Sequence, residues 1–303
     1  MGHKNIILVF GFLFFGCTYL SVVGAQEVKS PPVVNDNKES DQKIEDFSLS
    51  GFGDKGKKSW DLAGKSANIF SEVVKLKEVV GNNYAQNDTI NLTADNGDFN
   101  KQSGVVHLQD NVIITTSSGT KLTTDTLDWD RKQQIVSTLD KVNLTRQDMN
   151  LSGQGASGQT ALKQIMVDKD VRLDIQTLDK QVNKKEKIAI TCEGPLEVDY
   201  EKNIAIFNNN VKVEKSDLII YSDKMQVYFT SKPQNNSGIQ GPAVISSSVD
   251  KIIALGNVRI IRGENISYSQ EATYSALDKK ITLTGKPQII IYQTENVDAA
   301  SGN

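Results

Sequence analysis

Cysteine and histidine are scarce in this chain of 303 residues, which contains two of each. So few thiols and imidazoles exclude a scaffold of several disulfides, a zinc finger and a histidine-rich metal site. An excess of positive charge is missing too, because the formal net charge is −3, and this argues against a nucleic-acid partner. The motifs of serine hydrolases and of phosphate-binding loops do not occur either. We therefore expect no metal, no cofactor, no catalytic residue and no enzymatic activity.

The composition is that of a soluble globular protein. Hydrophobic residues make up 38% of the chain and charged residues 23%, which is typical of such proteins. The length suffices for one large domain or two ordinary ones, each with a core of its own.

The N-terminal segment, residues 1–25, has the layout of a signal peptide. A run of 18 apolar or neutral residues, from Ile6 to Val23, follows a short polar start and ends at Ala25. The run approaches the roughly 20 residues that a helix needs to cross hydrocarbon, so residues 6–23 are also a candidate membrane anchor. A third alternative is lipidation at Cys17, although two phenylalanines precede it where smaller residues are usual. Cleavage, retention and lipidation all remain open.

Residues 26–45 are polar and contain Pro31 and Pro32, which predicts a linker. After this linker no proline occurs until Pro195, and apolar residues alternate with polar ones in run after run. This period of two is typical of half-buried strands, and helical spacing is not sustained anywhere in the mature chain. The pattern predicts an all-β fold. Clear examples are Val171-Leu173-Ile175, Ile188-Ile190-Cys192, Leu196-Val198-Tyr200 and Met225-Val227-Phe229.

A short unit recurs within the alternation: a polar step with Asn or Asp, then Val, then an apolar residue two positions on. Because Asn, Asp and Gly tolerate the left-handed backbone of tight hairpins, we interpret each unit as a turn that feeds a strand. The five copies begin at Asp110, Asp140, Lys169, Asn209 and Gly256. Three copies are followed by an acidic residue that we expect to cap or terminate a hairpin: Asp125, Asp223 and Glu271.

These units are where the sequence begins to resemble known families. Residues from about 47 to 175 resemble the periplasmic part of LptC, the membrane-anchored component of the lipopolysaccharide-export bridge. The matching stretches are Trp60-x-Leu62-x-Gly64-x-Ser66-Ala67, Leu92-x-Ala94-Asp95-x-Gly97-x-Phe99, Val106-x-Leu108-x-Asp110-Asn111-Val112, Leu122-Thr123-Thr124-Asp125-x-Leu127-x-Trp129-Asp130 and Leu151-Ser152-Gly153-x-Gly155-Ala156.

Residues from about 188 to 292 resemble a second family of the same system, the soluble LptA component and its OstA-like relatives. The matching stretches are Gly194-Pro195-Leu196-x-Val198-Asp199-Tyr200, Ala205-x-Phe207-x-Asn209-Asn210-Val211, Ser222-Asp223-x-Met225-x-Val227-Tyr228, Ala254-x-Gly256-Asn257-Val258 and Leu283-Thr284-Gly285-x-Pro287. The order of these motifs over two consecutive modules is more specific than any one of them. The sequence departs from both families in fusing components that are usually separate chains.

The resemblance implies stacked antiparallel strands that form open β-jellyroll modules, which join edge to edge. We expect an LptC-like module over residues 46–180, an LptA/OstA-like module over 187–295 and a tail over 296–303. The modules should meet near Lys180 to Lys187, the most charged and least alternating interval between the β-patterned blocks.

The implied function is a periplasmic scaffold that binds lipopolysaccharide and moves it from the inner membrane towards the outer membrane through an apolar trough. The implied partners are lipopolysaccharide, the inner-membrane ABC transporter of the export system, and other jellyroll modules or the outer-membrane translocon, joined by edge-strand addition. The inward face of the alternation should contact the lipid. Our candidates are Ile114, Leu122, Leu144, Leu173, Val213, Ile220, Val227, Ile260 and Leu283.

Two other functions compete with lipid transfer. Asp125, Asp128 and Asp130 lie close to Trp129 and suggest a polysaccharide-active enzyme with a carboxylate pair. A structural β-repeat protein is the other alternative. We expect His107 to face solvent on a strand and Cys192 to be a small core residue.

Overall fold

The computed structural model describes residues 40–52, 56–84, 89–117, 119–146, 149–159, 164–179, 184–199, 201–229, 249–278 and 280–292. These residues contain 17 strands and no α-helix, which confirms the predicted all-β class. No helix in this part of the chain is long and apolar enough to cross a membrane. The expected signal or anchor segment, most of the linker and the C-terminal tail lie outside the described residues.

The strands follow one another along the chain. They are β1 (Gln42–Phe52), β2 (Lys58–Ile69), β3 (Val73–Tyr84), β4 (Thr89–Asn100), β5 (Val105–Thr116), β6 (Thr120–Asp130), β7 (Ile135–Arg146), β8 (Met149–Gln159), β9 (Gln164–Asp179), β10 (Lys184–Cys192), β11 (Leu196–Asp199), β12 (Ile204–Lys215), β13 (Leu218–Phe229), β14 (Val249–Arg262), β15 (Asn265–Ser275), β16 (Lys280–Thr284) and β17 (Gln288–Ile290).

The chain forms two compact units. One comprises Met1–Ser118 and Asp125–Ile135, and we call it the N-terminal unit. The other comprises Gly119–Thr124 and Val136–Asn303, and we call it the C-terminal unit.

In the N-terminal unit, strands β1 to β5 pair antiparallel in sequence order. Its core contains the buried aromatic side chains of Phe47, Trp60 and Phe99, with aliphatic residues between them. The guanidinium of Arg131 lies over the Phe99 ring, 5.6 Å from its centroid. In the C-terminal unit the buried aromatic residues are Phe207 and Phe229.

In the C-terminal unit, strand β9 is 16 residues long and pairs with two shorter strands. Its second half pairs with β10 and its first half with β11. Strand β12 also pairs with both, and antiparallel pairing continues through β13, β14 and β15 to β16 and β17. One buried cluster runs along these strands from Val142 to Ala272, with Phe207 and Leu173 fully buried in it. Cys192 belongs to this cluster, as predicted.

The recurring units are not turns, and this part of the sequence interpretation was wrong. All five lie inside long strands: β5, β7, β9, β12 and β14. In β5, β12 and β14 the unit is the site of a register shift, where the strand has one residue more than its neighbour. These are β-bulges, which bend a strand and increase its twist. The two central residues have positive φ, such as 64° and 51° at Asn209 and Asn210.

An acidic side chain holds the second residue of each of these bulges, from the neighbouring strand for Asp95 and Asp223 and from the bend after β10 for Glu193. The Nδ2 of Asn111 donates to Asp95 at 2.6 Å, that of Asn210 to Glu193 at 2.7 Å, and that of Asn257 to Asp223 at 2.8 Å. Asp223 therefore accepts this hydrogen bond in the middle of β13. The prediction that it caps or terminates a hairpin was wrong. Asp125 and Glu271 likewise lie inside strands, β6 and β15.

The two glycines of the Ser152-Gly153-Gln154-Gly155 stretch lie at another bulge, between β8 and β9. A Cβ at Gly153 would meet the Val167 side chain at 2.3 Å, and Gly155 has a φ of +72°. Close approach of a neighbouring strand and a bulge both explain these glycines.

Candidate lipid-binding surface

Residues that face each other directly on neighbouring antiparallel strands point to the same side of the sheet. In the C-terminal unit, such pairs connect six apolar residues on six strands. We call this set the apolar row: Leu151, Leu173, Ile190, Val213, Ile220 and Ile260. The row contains no polar side chain, so it forms a continuous apolar stripe across β8, β9, β10, β12, β13 and β14.

A second row lies beyond the bulges and is more deeply buried. It connects Val167, Leu196, Phe207, Met225 and Ala254 by the same direct pairing. All five residues are at most 4% exposed. This second row is the packed core of the unit. The apolar row on the other side of the bulges includes residues that are only half-buried, such as Val213 and Ile220.

The nine predicted lipid-contacting residues separate into groups by burial. Leu144, Leu173, Val227 and Ile260 are members of the buried cluster, and Leu173 is fully buried. Leu122, Val213, Ile220 and Leu283 are half-buried and pack against the same cluster. Eight of the nine therefore lie around one core.

The ninth residue, Ile114, lies in the N-terminal unit. It faces Leu92 on β4, and direct pairing continues the set through Gly81 and Leu62 to Leu49. We call this set the N-terminal row. Ile114 is half-buried, as Val213 and Ile220 are. Each unit thus has an apolar row, and in the N-terminal unit a glycine interrupts it.

Sequence reasoning missed Leu151 and Ile190 as members of the apolar row. The alternation of Ile188, Ile190 and Cys192 indicated that Ile190 points inward, but not which residue it faces. Strand register depends on where each bulge adds a residue, and the bulges had been interpreted as turns.

Two of the carboxylates near Trp129 have partners in the structure. Asp130 accepts the backbone N–H groups of Lys132 and Gln133 at 2.8 and 2.9 Å, and so caps the turn after β6. Asp128 contacts His107, with 2.5 Å between Oδ1 and Nδ1. His107 was predicted to face solvent, but its side chain is only 23% exposed and it has this carboxylate partner. Within the described residues, no group of three or more potential metal ligands occurs.

The last strand presents apolar side chains to solvent. Strand β17 pairs with β15, and all three of its residues are exposed. Ile289 is 61% exposed, and Ile291 and Tyr292 beyond the strand are exposed too. Exposed apolar residues on a terminal strand are a known route to pairing with another chain.

Two protein families match the chain in tandem. The family described as lipopolysaccharide-assembly, LptC-related, matches residues 7–176. The family described as LptA/(LptD N-terminal domain) LPS transport protein matches residues 195–303. No curated protein matches the chain. Among solved structures, the chain is similar to LptH, the LptA homologous periplasmic component of the conserved lipopolysaccharide transport device from Pseudomonas aeruginosa. The identity is 16% and the TM-score 0.22, over 53% of this chain and 92% of that chain.

Proposed function

This chain belongs to the LptC-related family of lipopolysaccharide-assembly proteins, and from this premise we propose that it carries the acyl chains of lipopolysaccharide along its apolar rows. Its function is in the periplasmic lipopolysaccharide transport bridge, and the two matched families are transport proteins, not enzymes. Proteins of these families bind lipopolysaccharide and other components of the bridge. We propose below which residues of this chain contact lipid, where the acyl chains pass and which partners the chain has.

The observation that carries the proposal is the apolar row of the C-terminal unit. Shielding a methylene from water is worth about 0.8 kcal/mol, so a chain of ten methylenes left in water would cost about 8 kcal/mol. The half-buried members of the row, Val213 and Ile220, offer apolar surface for this shielding, and the buried members support them. Transfer then needs no step in which a whole acyl chain is exposed.

Burial indicates which members contact lipid. A fully buried residue such as Leu173 already contacts protein on all sides, so it stabilises the apolar row without contacting lipid. Val213 and Ile220 face each other and are half-buried, so their side chains have surface left to offer. We propose the half-buried candidates as the contact residues: Ile114, Leu122, Val213, Ile220 and Leu283.

We also propose that the chain is a fusion of an LptC-like module, residues 46–180, and an LptA/OstA-like module, residues 187–295. The two family matches end and begin at residues 176 and 195, on either side of the expected boundary. The compact units divide at a different place, because strands β7 to β9 pack in the C-terminal unit. Sequence ancestry and packing thus define different divisions of the chain.

For the partners, we propose that residues 6–23 anchor the chain next to an inner-membrane ABC transporter. The exposed apolar residues of β17 would then receive the next jellyroll module or the outer-membrane translocon by strand addition.

Adjacent isoleucines on one strand provide the test. Ile220 belongs to the apolar row, whereas Ile219 faces Glu214 and Ile261 and points to the opposite side. A photo-crosslinking amino acid at Ile220 should form an adduct with lipopolysaccharide in cells, and the same residue at Ile219 should form little. A second crosslinker at Val213 should behave as Ile220 does.

A charge provides the complementary test. Val213→Asp places a carboxylate on the wall, where each passing acyl chain would have to desolvate it. We expect loss of the Ile220 adduct, with unfolding measured in parallel. Equal adducts at Ile219 and Ile220, or normal transfer by folded Val213→Asp, would contradict the proposed path.

A further inference from the structure

A cavity of about 1170 Å³ opens on the C-terminal unit. Its wall includes another set of directly paired residues: Thr191, Lys212, Tyr221, Arg259, Tyr268 and Gln288. Lys212, Tyr221 and Arg259 are the chain neighbours of Val213, Ile220 and Ile260. Successive residues of a strand point to opposite faces, so the side chains of Lys212, Tyr221 and Arg259 point away from the apolar row.

The cavity is basic although the protein is not. Lys212, Arg259 and Lys286 line it with a single carboxylate, Asp223, in a chain of formal net charge −3. The Lys212 ammonium is already paired with Glu214 at 2.6 Å. Of the residues that the structure describes, none forms an ion pair with Arg259 or Lys286. Two cations therefore remain for an anionic ligand.

Aromatic rings flank the central cation. Arg259 faces Tyr221 on one side and Tyr268 on the other, and its guanidinium lies 4.3 Å from the centroid of the Tyr221 ring. Stacking holds the guanidinium flat and leaves its N–H groups free to bind an oxyanion in a bidentate manner. The Tyr268 side chain is 38% exposed and offers a ring face to a sugar.

We infer that this cavity binds an acidic oligosaccharide, with Arg259 and Lys286 on a phosphate and Tyr268 against a sugar ring. The volume exceeds that of pockets for single small molecules, which are about 300 to 1,000 Å³, and so has room for more than one sugar. The phosphorylated sugar is the head of a lipopolysaccharide or a free envelope glycan. The inference rests on the proposed function only if the ligand is the head of a lipopolysaccharide.

The test titrates the full chain with a phosphorylated core oligosaccharide from which the lipid has been removed. We expect saturable binding, at least 10-fold weaker in Arg259→Gln and clearly weaker in Lys286→Gln. The matched control is Arg262→Gln, on the same strand but outside the cavity, where the guanidinium lies near the exposed Asp217. Its affinity should equal that of the unchanged chain.

Three results would overturn the inference. One is equal affinity for the phosphorylated and the enzymatically dephosphorylated oligosaccharide. Another is competition by inorganic phosphate as strong as that of the oligosaccharide, which would leave a bare anion site. The third is unchanged affinity in Lys286→Gln, which decides the matter if Arg259→Gln does not fold.

Competition by intact lipopolysaccharide identifies the source of the phosphorylated sugar. Intact lipopolysaccharide displaces the oligosaccharide only if its head occupies the same cavity. Either result supports the cavity and assigns its ligand. The Ile220 adduct should persist in Arg259→Gln. If Arg259→Gln loses oligosaccharide binding but keeps the Ile220 adduct, the cavity and the acyl path are independent. If the unchanged chain binds the oligosaccharide but forms no Ile220 adduct, the proposed function is contradicted and the cavity is not.

Discussion

The N-terminal and C-terminal units solve the same structural problem with different residues. Both bend their long strands at bulges in which an asparagine donates to a carboxylate on the next strand, as Asn111 does to Asp95 and Asn257 to Asp223. Both have an apolar row beyond the bulge. The row is unbroken in the C-terminal unit, whereas Gly81 interrupts the N-terminal row. The bulge is therefore the repeated element of the fold. The size of the side chains in the apolar rows differs between the two units.

The largest expected effect comes from the cores, where the two units differ most. Phe207→Ala removes a fully buried ring from the aliphatic C-terminal core and should cost about 3–5 kcal/mol of unfolding free energy. Phe99→Ala should cost less, because its ring lies beneath the Arg131 guanidinium, which can move into part of the space. Hydrogen exchange of β12–β14 and of β3–β5 would report each loss in its own unit. Equal losses, or a larger one for Phe99→Ala, would contradict this difference between the cores.

A bulge glycine gives the next largest effect. Gly256 has a φ of +73°, and a Cβ there would lie 2.3 Å from the Asp223 carboxylate. Gly256→Ala should destabilise the C-terminal unit by about 1–3 kcal/mol, as left-handed backbone and a steric clash combine. Gly263→Ala is the control, because its φ is +57° but nothing lies within 4 Å. Thermal unfolding should show the larger loss at Gly256, and equal losses would mean that the clash is relieved without cost.

The shared bulge contact should have similar worth in both units. Asp95→Ala and Asp223→Ala each remove an acceptor without changing a residue of positive φ, and each should cost about 0.5–1.5 kcal/mol. Asn at either position keeps one side-chain oxygen as an acceptor and should recover much of the loss. Denaturant unfolding of the four variants would measure this. If one unit tolerates Ala without loss, the bulge is held there by backbone pairing alone.

The smallest effect concerns pH. Asp199 accepts the Lys202 ammonium at 2.8 Å and two backbone N–H groups, and the Lys202 hydrogen bonds lower the pKa of this carboxyl from 3.8 to about 2. A lowered pKa in the folded state stabilises the protein above the unfolded pKa, and this contribution is lost as the pH falls towards 2. Asp199→Asn should therefore show a shallower loss of stability between pH 4 and 2, measured by urea unfolding. Parallel pH curves for both proteins would exclude the contribution.

The fold class could be predicted from the sequence, whereas the register of the strands could not. Alternation correctly predicted an all-β fold and the burial of Cys192, because inward residues of a strand must recur every second position. It could not distinguish a turn from a bulge at Asn209-Asn210, since both require positive φ and favour the same residues. Once those bulges were taken for turns, β12 was cut in two and its register with β13 was lost. The pairing of Val213 with Ile220, and the cavity lined by their chain neighbours, could be identified only from that register.

The pairing of β9 with both β10 and β11 has a consequence for how the bridge is assembled. Val167, within the LptC-related match, faces Leu196, within the LptA match, so strand pairing joins the two ancestral segments inside one core. Where such segments are separate chains, their joint forms and breaks with concentration. Here the short connection at residues 180–183 raises the effective concentration to roughly the millimolar range. The two segments are then always present in equal numbers, and on the proposed acyl path the lifetime of this joint does not limit transfer.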